Sequence, residues 1–188
     1  MGRRPHQPAD RARWFAKADV APRSNEAASV GPPAVEGFVF LGTQLAAFAS
    51  SQIERKTIEA YLATEYRVGA PSPFRLVIGQ RHPDLAALLD RTRATCAAVL
   101  TAWNPYSELR SRAANDEAQQ ALVADLDRRH LIHFQACGVD HTGKWAPEES
   151  RLILDIDLAL TGQLCARFRQ NGAVWAKSDA MPMLLLSR

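Results

Sequence analysis

From residue 51 onward, apolar residues recur either every three to four positions or in short unbroken runs. Ile58, Tyr61 and Leu62 fall on one helical face behind Ser51-x-x-Glu54, a match to the capping box, and predict a first helix. Residues 74–79 form an apolar run that predicts a strand. Pro83 and Asp84 then open a helix whose Leu85, Leu88 and Leu89 share a face and whose end carries Arg91 and Arg93, as the helix dipole prefers. Residues 96–102 read as a buried central strand leading into Trp103, Asn104 and Pro105. A further amphipathic helix is predicted from near Asn115, with Ala118, Leu122 and Leu126 spaced by four and Arg128 and Arg129 at its end. Strands are expected over residues 131–136 and 151–155, on either side of a polar loop at 138–147 that turns at Gly143. Asp157 is placed to cap a helix with Leu160, Leu164 and Phe168 on one face. Residues 173–176 and 183–186 close the chain as a hairpin.

The order α-β-α-β-α-β-β-α-β-β predicts an α/β fold (α+β mixed): a single mixed β-sheet with packed helices and a C-terminal β-hairpin. It occupies residues 51–188 as one globular domain. Residues 1–50 are read as a disordered or weakly ordered leader, because Pro5, Pro8, Pro22, Pro32 and Pro33 interrupt any periodic pattern. At 188 residues, 47% hydrophobic and 23% charged, the chain has an ordinary globular composition. Its net charge of +3 is unevenly spread: residues 1–50 hold six Lys/Arg against four Asp/Glu, and residues 51–188 hold seventeen against sixteen. A near-neutral domain gives nucleic acid little support as a partner. Cys96, Cys137 and Cys165 are odd in number and set among apolar residues, which fits reduced thiols in a cytoplasmic protein. No apolar run reaches the roughly 18–20 residues that span a bilayer, so no membrane association is expected. Residues 37–49 resemble a signal-peptide core, but 36 residues precede them and Glu36 is the nearest charge.

Two segments combine amides, hydroxyls and tryptophan: Thr101-Ala-Trp-Asn-Pro-Tyr-Ser107 and Phe168-Arg-Gln-Asn-Gly-Ala-Val-Trp175. They sit in an ordered series with Tyr61-x-x-Thr64-x-Tyr66-x-Val68, Leu76-x-Ile78-Gly79-Gln80, Asp140-x-x-Gly143-x-Trp145-x-x-Glu148 and Asp179-Ala-x-Pro182. Together these resemble a bacterial domain-of-unknown-function family, number 3293 in its series, over about residues 59–188. The resemblance implies a small mixed α/β protein and no particular activity. Arg169 stands where similar sequences usually have glycine, and Gly172 follows Asn171 where they usually run directly into alanine.

Asn104 and Ser107 lie where a strand feeds a helix, a common place for ligands in α/β sheets. Their side chains suit a carbonyl, phosphate or base edge, but equally suit a turn closed on local backbone. Preceding a proline, Asn104 is expected to be extended. Asn171-Gly172 is expected to form a left-handed cap, which leaves Gln170 and Trp175 unexplained. If the strand of Trp175 lies beside residues 96–102, Trp103 and Trp175 would wall a cleft; the alternative is that both pack in the core. Glu148 and Glu149 could serve a metal or a proton transfer, but neighbours on a strand point to opposite faces. His130, His133, Cys137 and His141 are zinc-ligand types whose spacing crosses helix, strand and loop, so no metal and no cofactor are expected. The favoured function is binding of a small polar, nucleotide-like ligand by Trp103, Asn104, Ser107, Glu148, Gln170, Asn171 and Trp175. A protein-interaction module is the second reading, and a metal-assisted hydrolase using Glu148, Glu149 and His141 the third; whether the protein is an enzyme stays open.

Overall fold

A computed structural model describes residues 39–41 (backbone only), 51–70, 72–143 and 145–187. The other leader residues, and with them the signal-like run apart from 39–41, lie outside these.

The elements in chain order are β1 (Val39–Leu41), α1 (Arg55–Ala63), β2 (Glu65–Val68), β3 (Phe74–Leu76), α2 (Pro83–Thr92) and β4 (Cys96–Leu100). A 3-10 turn (Pro105–Ser107) and α3 (Arg112–Arg128) follow, then β5 (His133–Val139), β6 (Glu148–Leu154), α4 (Leu158–Arg167), β7 (Gly172–Lys177) and β8 (Met183–Leu186). The strands form one sheet in the order β1-β8-β7-β4-β6-β5-β2-β3. The fold is thus the expected mixed α/β class with a C-terminal hairpin. The pairing differs from expectation in being antiparallel throughout. Alternation of helix and strand suggested parallel neighbours, and α3 does join strands that run the same way, β4 and β5, as α4 joins β6 and β7. In each case another strand is inserted between the two, β6 in the first and β4 in the second. Local periodicity carries no information about such an insertion.

Layering follows from side-chain alternation. Ala97 and Val99 of β4 pack with Leu85, Leu88 and Leu89 of α2, whereas Ala98 and Leu100 pack with Leu122 and Leu126 of α3 and Leu164 of α4. Ile58 of α1 packs on Leu184 and Leu186 of β8, while Leu185 faces the α3–α4 side. Helices therefore cover both faces, α1 and α2 on one and α3 and α4 on the other. β4 is buried at every position, as a central strand should be.

Four local expectations are corrected. Ser51 and Glu54 form no capping box: Ser51 Oγ accepts from Ile53 N–H, and α1 begins at Arg55 with Glu54 as an N-cap whose side chain pairs with Lys56 and makes no capping bond. The run at 74–79 splits, with β3 ending at Leu76 and Gly79 turning at φ 80°. Residues 65–68, read at first as part of a motif only, form β2, and Val39–Leu41 extends the sheet from within the leader span by pairing with β8. α3 starts one turn early, capped by Ser111, whose side chain accepts from Ala114 N–H.

Candidate functional site

The loop after β4 gathers three of the positive-φ residues found among the described residues. Asn104, Tyr106 and Ser107 all have positive φ, at 46°, 53° and 63°. Left-handed backbone costs a non-glycine residue on the order of 1–3 kcal/mol, so three such residues in four positions must be held in place by their surroundings. Asn104 is therefore not extended as its proline neighbour implied. The side chains around it supply the reason. Asn104 Nδ2 donates to Glu148 Oε1 at 2.6 Å, and its Oδ1 accepts from Asn115 Nδ2 and from Arg110 N–H, each at 3.0 Å. Asn104 N–H donates to Asn115 Oδ1 at 2.9 Å, and one helical turn further along, Gln119 Oε1 accepts from Ala102 N–H at 3.0 Å. Asn115 and Gln119 are buried polar residues that a search for apolar periodicity passes over.

The second motif zips onto the first. Tyr106 N–H donates to Arg169 O at 2.7 Å, and Gln170 Nε2 donates to Trp103 O at 3.0 Å. Asn171 Nδ2 lies 3.0 Å from both Ser107 Oγ and Tyr61 Oη, and these two hydroxyls are 2.8 Å apart. Tyr61, at the end of α1, is 46 residues from Ser107 and 110 from Asn171. Its position on an apolar helical face marked it as core; its phenolic tip is what joins the site. Tyr66 from β2 donates to Tyr61 O at 3.3 Å. It pairs with Gly138, which in turn pairs with Glu148, so the Tyr66 ring lies across a position without a side chain towards Glu148.

The end of α4 differs from expectation in a way that places Gln170 and Asn171. Arg169, not Asn171, takes the left-handed position, at φ 54°. Gln170 N–H reaches Cys165 O at 2.8 Å and Arg169 N–H reaches Ala166 O at 3.2 Å, the paired bonds of a Schellman ending. Gly172 already belongs to β7, and a Cβ there would lie 2.2 Å from Leu185 O. The glycine that looked like a cap therefore permits close approach of two strands.

Burial pushes the Glu148 carboxyl up from the usual carboxylate range, and the Asn104 amide partly offsets this. The Tyr66 phenol is likewise pushed up, chiefly by burial and then by Tyr61 and Glu148. Burial also raises all three thiols, Cys165 to about 12, so none offers a thiolate near neutral pH.

The structure thus brings together Asn104, Ser107, Gln170 and Asn171, with Glu148 tied in through Asn104. β7 does lie beside β4, as the cleft required. The tryptophan walls do not form. Trp175 is a core residue whose indole donates to Ile156 O at 2.9 Å, and Trp103 is buried beneath the Arg112 guanidinium, 4.9 Å from the ring centre. Glu148 and Glu149 diverge, as strand alternation requires: Glu149 pairs with Arg151, and His141 lies 3.4 Å from Glu65. Among the described residues no group of three His, Cys, Asp or Glu side chains could hold a metal ion, and no helix is long and apolar enough to cross a membrane.

The model of a family described as Protein of unknown function (DUF3293) matches residues 100–174. That span contains the strained loop, α3, Glu148 and the Gln170–Asn171 segment, while Tyr61 and Tyr66 precede it. No curated protein and no solved structure matches the chain.

Proposed function

We propose that this chain, whose residues 100–174 match the model of the DUF3293 family, binds a small polar ligand at the triangle formed by Tyr61, Ser107 and Asn171. One observation carries the reading. Three polar tips from separate elements meet within 3.0 Å, and the loop that delivers Ser107 keeps its left-handed backbone through the half-buried Asn104–Asn115–Glu148 network. A turn serving the fold alone has no need of this arrangement, because glycine at the same positions would remove the strain. Asn104, Glu148 and Gln170 hold the loop, and Ser107, which is exposed, meets the ligand. A nucleotide-like molecule has the required chemistry, since it offers phosphate and base-edge acceptors. Free thiols at Cys96, Cys137 and Cys165 support a cytoplasmic setting.

A protein partner is the second reading. It is supported by Leu109, 87% exposed, and Trp145, 41% exposed, on the two loops that the Asn104–Glu148 bond ties together.

The test is a thermal-shift screen of the full chain against nucleotides, short oligonucleotides and common metabolites. A ligand at a hundred times its Kd stabilises by about 2.7 kcal/mol, well within detection. The expected result is stabilisation by one ligand class, lost in Ser107→Ala and Asn171→Ala. No stabilisation by any ligand sinks the proposal and turns attention to the Leu109–Trp145 surface.

A further inference from the structure

The hydrogens of the triangle can be counted. Its sides are 2.8, 3.0 and 3.0 Å, so it is nearly equilateral. Seen from Asn171 Nδ2, the two oxygens lie about 60° apart, whereas the two amide hydrogens diverge by about 120°. One amide N–H therefore points between the oxygens and serves both. One hydroxyl donates to the other. That leaves one amide N–H and one hydroxyl O–H that the triangle does not use.

The pair of segments that carries Ser107 and Asn171 also carries a cation. The Arg169 guanidinium lies 5.1 Å from the centre of the Tyr106 ring and makes no ion pair with a carboxylate among the described residues. Because Tyr106 N–H bonds Arg169 O while Asn171 bonds Ser107, the guanidinium and the triangle stand on the same pair of zipped segments. The nearby carboxylates are engaged: Glu148 accepts from Asn104, and Glu108 pairs with Arg110 at 2.6 Å. A site with two unused donors, and an arginine on the same pair of segments, is complementary to negatively charged oxygen.

Building on the binding site above, we infer that the group it recognises is an anion, a carboxylate or a phosphate. Its oxygens accept from the Ser107–Tyr61 hydroxyl pair and the Asn171 amide, and its charge is met by Arg169. The unusual residue at 169 then has a use beyond ending α4. Glycine would take the left-handed position with less strain, but would supply no charge.

The experiment titrates the full chain with inorganic phosphate and, separately, with acetate. Ionic strength is held constant with chloride, and the Asn171 side-chain amide and Arg169 Nε signals are followed by nitrogen-proton NMR. Saturable shifts with one of the two anions are expected, and which one answers distinguishes phosphate from carboxylate. Arg169→Gly, which relieves the backbone and so does not act through misfolding, should weaken binding about tenfold, the scale of a lost charge-assisted hydrogen bond. Arg169→Lys should fall between the two. No saturable shift with either anion overturns the inference, as does binding unaffected by Arg169→Gly. If instead a neutral compound from the ligand screen shifts the Asn171 signal while both anions fail, the binding site stands and its anionic character falls. Silence from anions and screen alike removes both.

Discussion

Replacing Gly172 with alanine tests the strand–strand approach that positions Asn171. The added Cβ would meet Leu185 O at 2.2 Å, with Leu185 C at 3.2 Å and Leu186 Cα at 3.3 Å, all of them backbone atoms. No rotamer change relieves such a contact, so β8 must retreat by about 1 Å to restore ordinary packing. It is poorly placed to do so. Leu184, Leu185 and Leu186 are 2%, 0% and 1% exposed, and just beyond them Ser187 N–H donates to Asn171 O at 2.8 Å and Ser187 Oγ to Gln170 O at 2.5 Å. Overpacking of this kind costs about 1–3 kcal/mol, and each of the two bonds contributes about 1 kcal/mol. The expected loss is therefore about 3–5 kcal/mol, a large part of the roughly 5–15 kcal/mol that holds a domain folded. Urea denaturation followed by tryptophan fluorescence reads this as a midpoint lowered by about 2 M at an unchanged m value near 2 kcal/mol/M. Gly143→Ala is the internal comparison. Gly143 has φ 69° and nothing within 4 Å of a built Cβ, so its substitution costs about 1 kcal/mol of backbone strain and no clash. Gly172→Asn separates the explanations further, since asparagine tolerates left-handed backbone but is larger than alanine. A Gly172→Ala loss no greater than that of Gly143→Ala, with Gly172→Asn milder still, would refute the close approach and restore the helix-cap role suggested by the sequence.

Two carboxylates should impose opposite pH dependences. Glu65 is held below its usual range chiefly by the Arg67 hydrogen bond, so its contribution is present above the unfolded pKa and lost as pH falls through the folded one. Glu148 is raised by burial, so its contribution is present below the unfolded value and lost as pH rises through the folded one. Urea midpoints between about pH 3 and 8 should show a flatter acid limb in Glu65→Gln and relief at neutral pH in Glu148→Gln, and profiles parallel to wild type would contradict both assignments. Trp175→Phe leaves Ile156 O with only the weaker Cys96 thiol as donor and should cost about 1–3 kcal/mol in the same assay, plus the lost packing. Trp103→Phe removes an N–H that has no acceptor among the described residues, so an equal or larger loss there would overturn the contrast.

Sequence alone determined those features whose cause is local. The leucines of α2, the Asp157 cap of α4 with Leu160 N–H donating to its side chain at 2.7 Å, and the fully apolar β4 are each set by neighbours a few residues away, so their spacing predicts them. Composition also picked out the two polar segments with Asn104, Ser107, Gln170 and Asn171, though not the bonds between them, which join residues more than 60 positions apart. Tertiary structure decided the rest, because its causes act between distant residues. The antiparallel sheet depends on which strand enters between two parallel ones, and no stretch of residues encodes that order locally. Asn104 turns left-handed because Asn115, Glu148 and Arg110 meet its side chain, a balance that the preference of a residue before proline cannot anticipate. With Arg169 in place of Asn171 at the left-handed cap, α4 ends two residues earlier than expected, which leaves Asn171 to bond Ser107 and places Gly172 in β7 against Leu185. Tyr61 entered the site, and Trp175 left it, for one reason. The partner of a polar tip is chosen by packing across the sheet: a phenol at the end of α1 found Ser107 and Asn171, while the indole of β7 found a carbonyl inside the core.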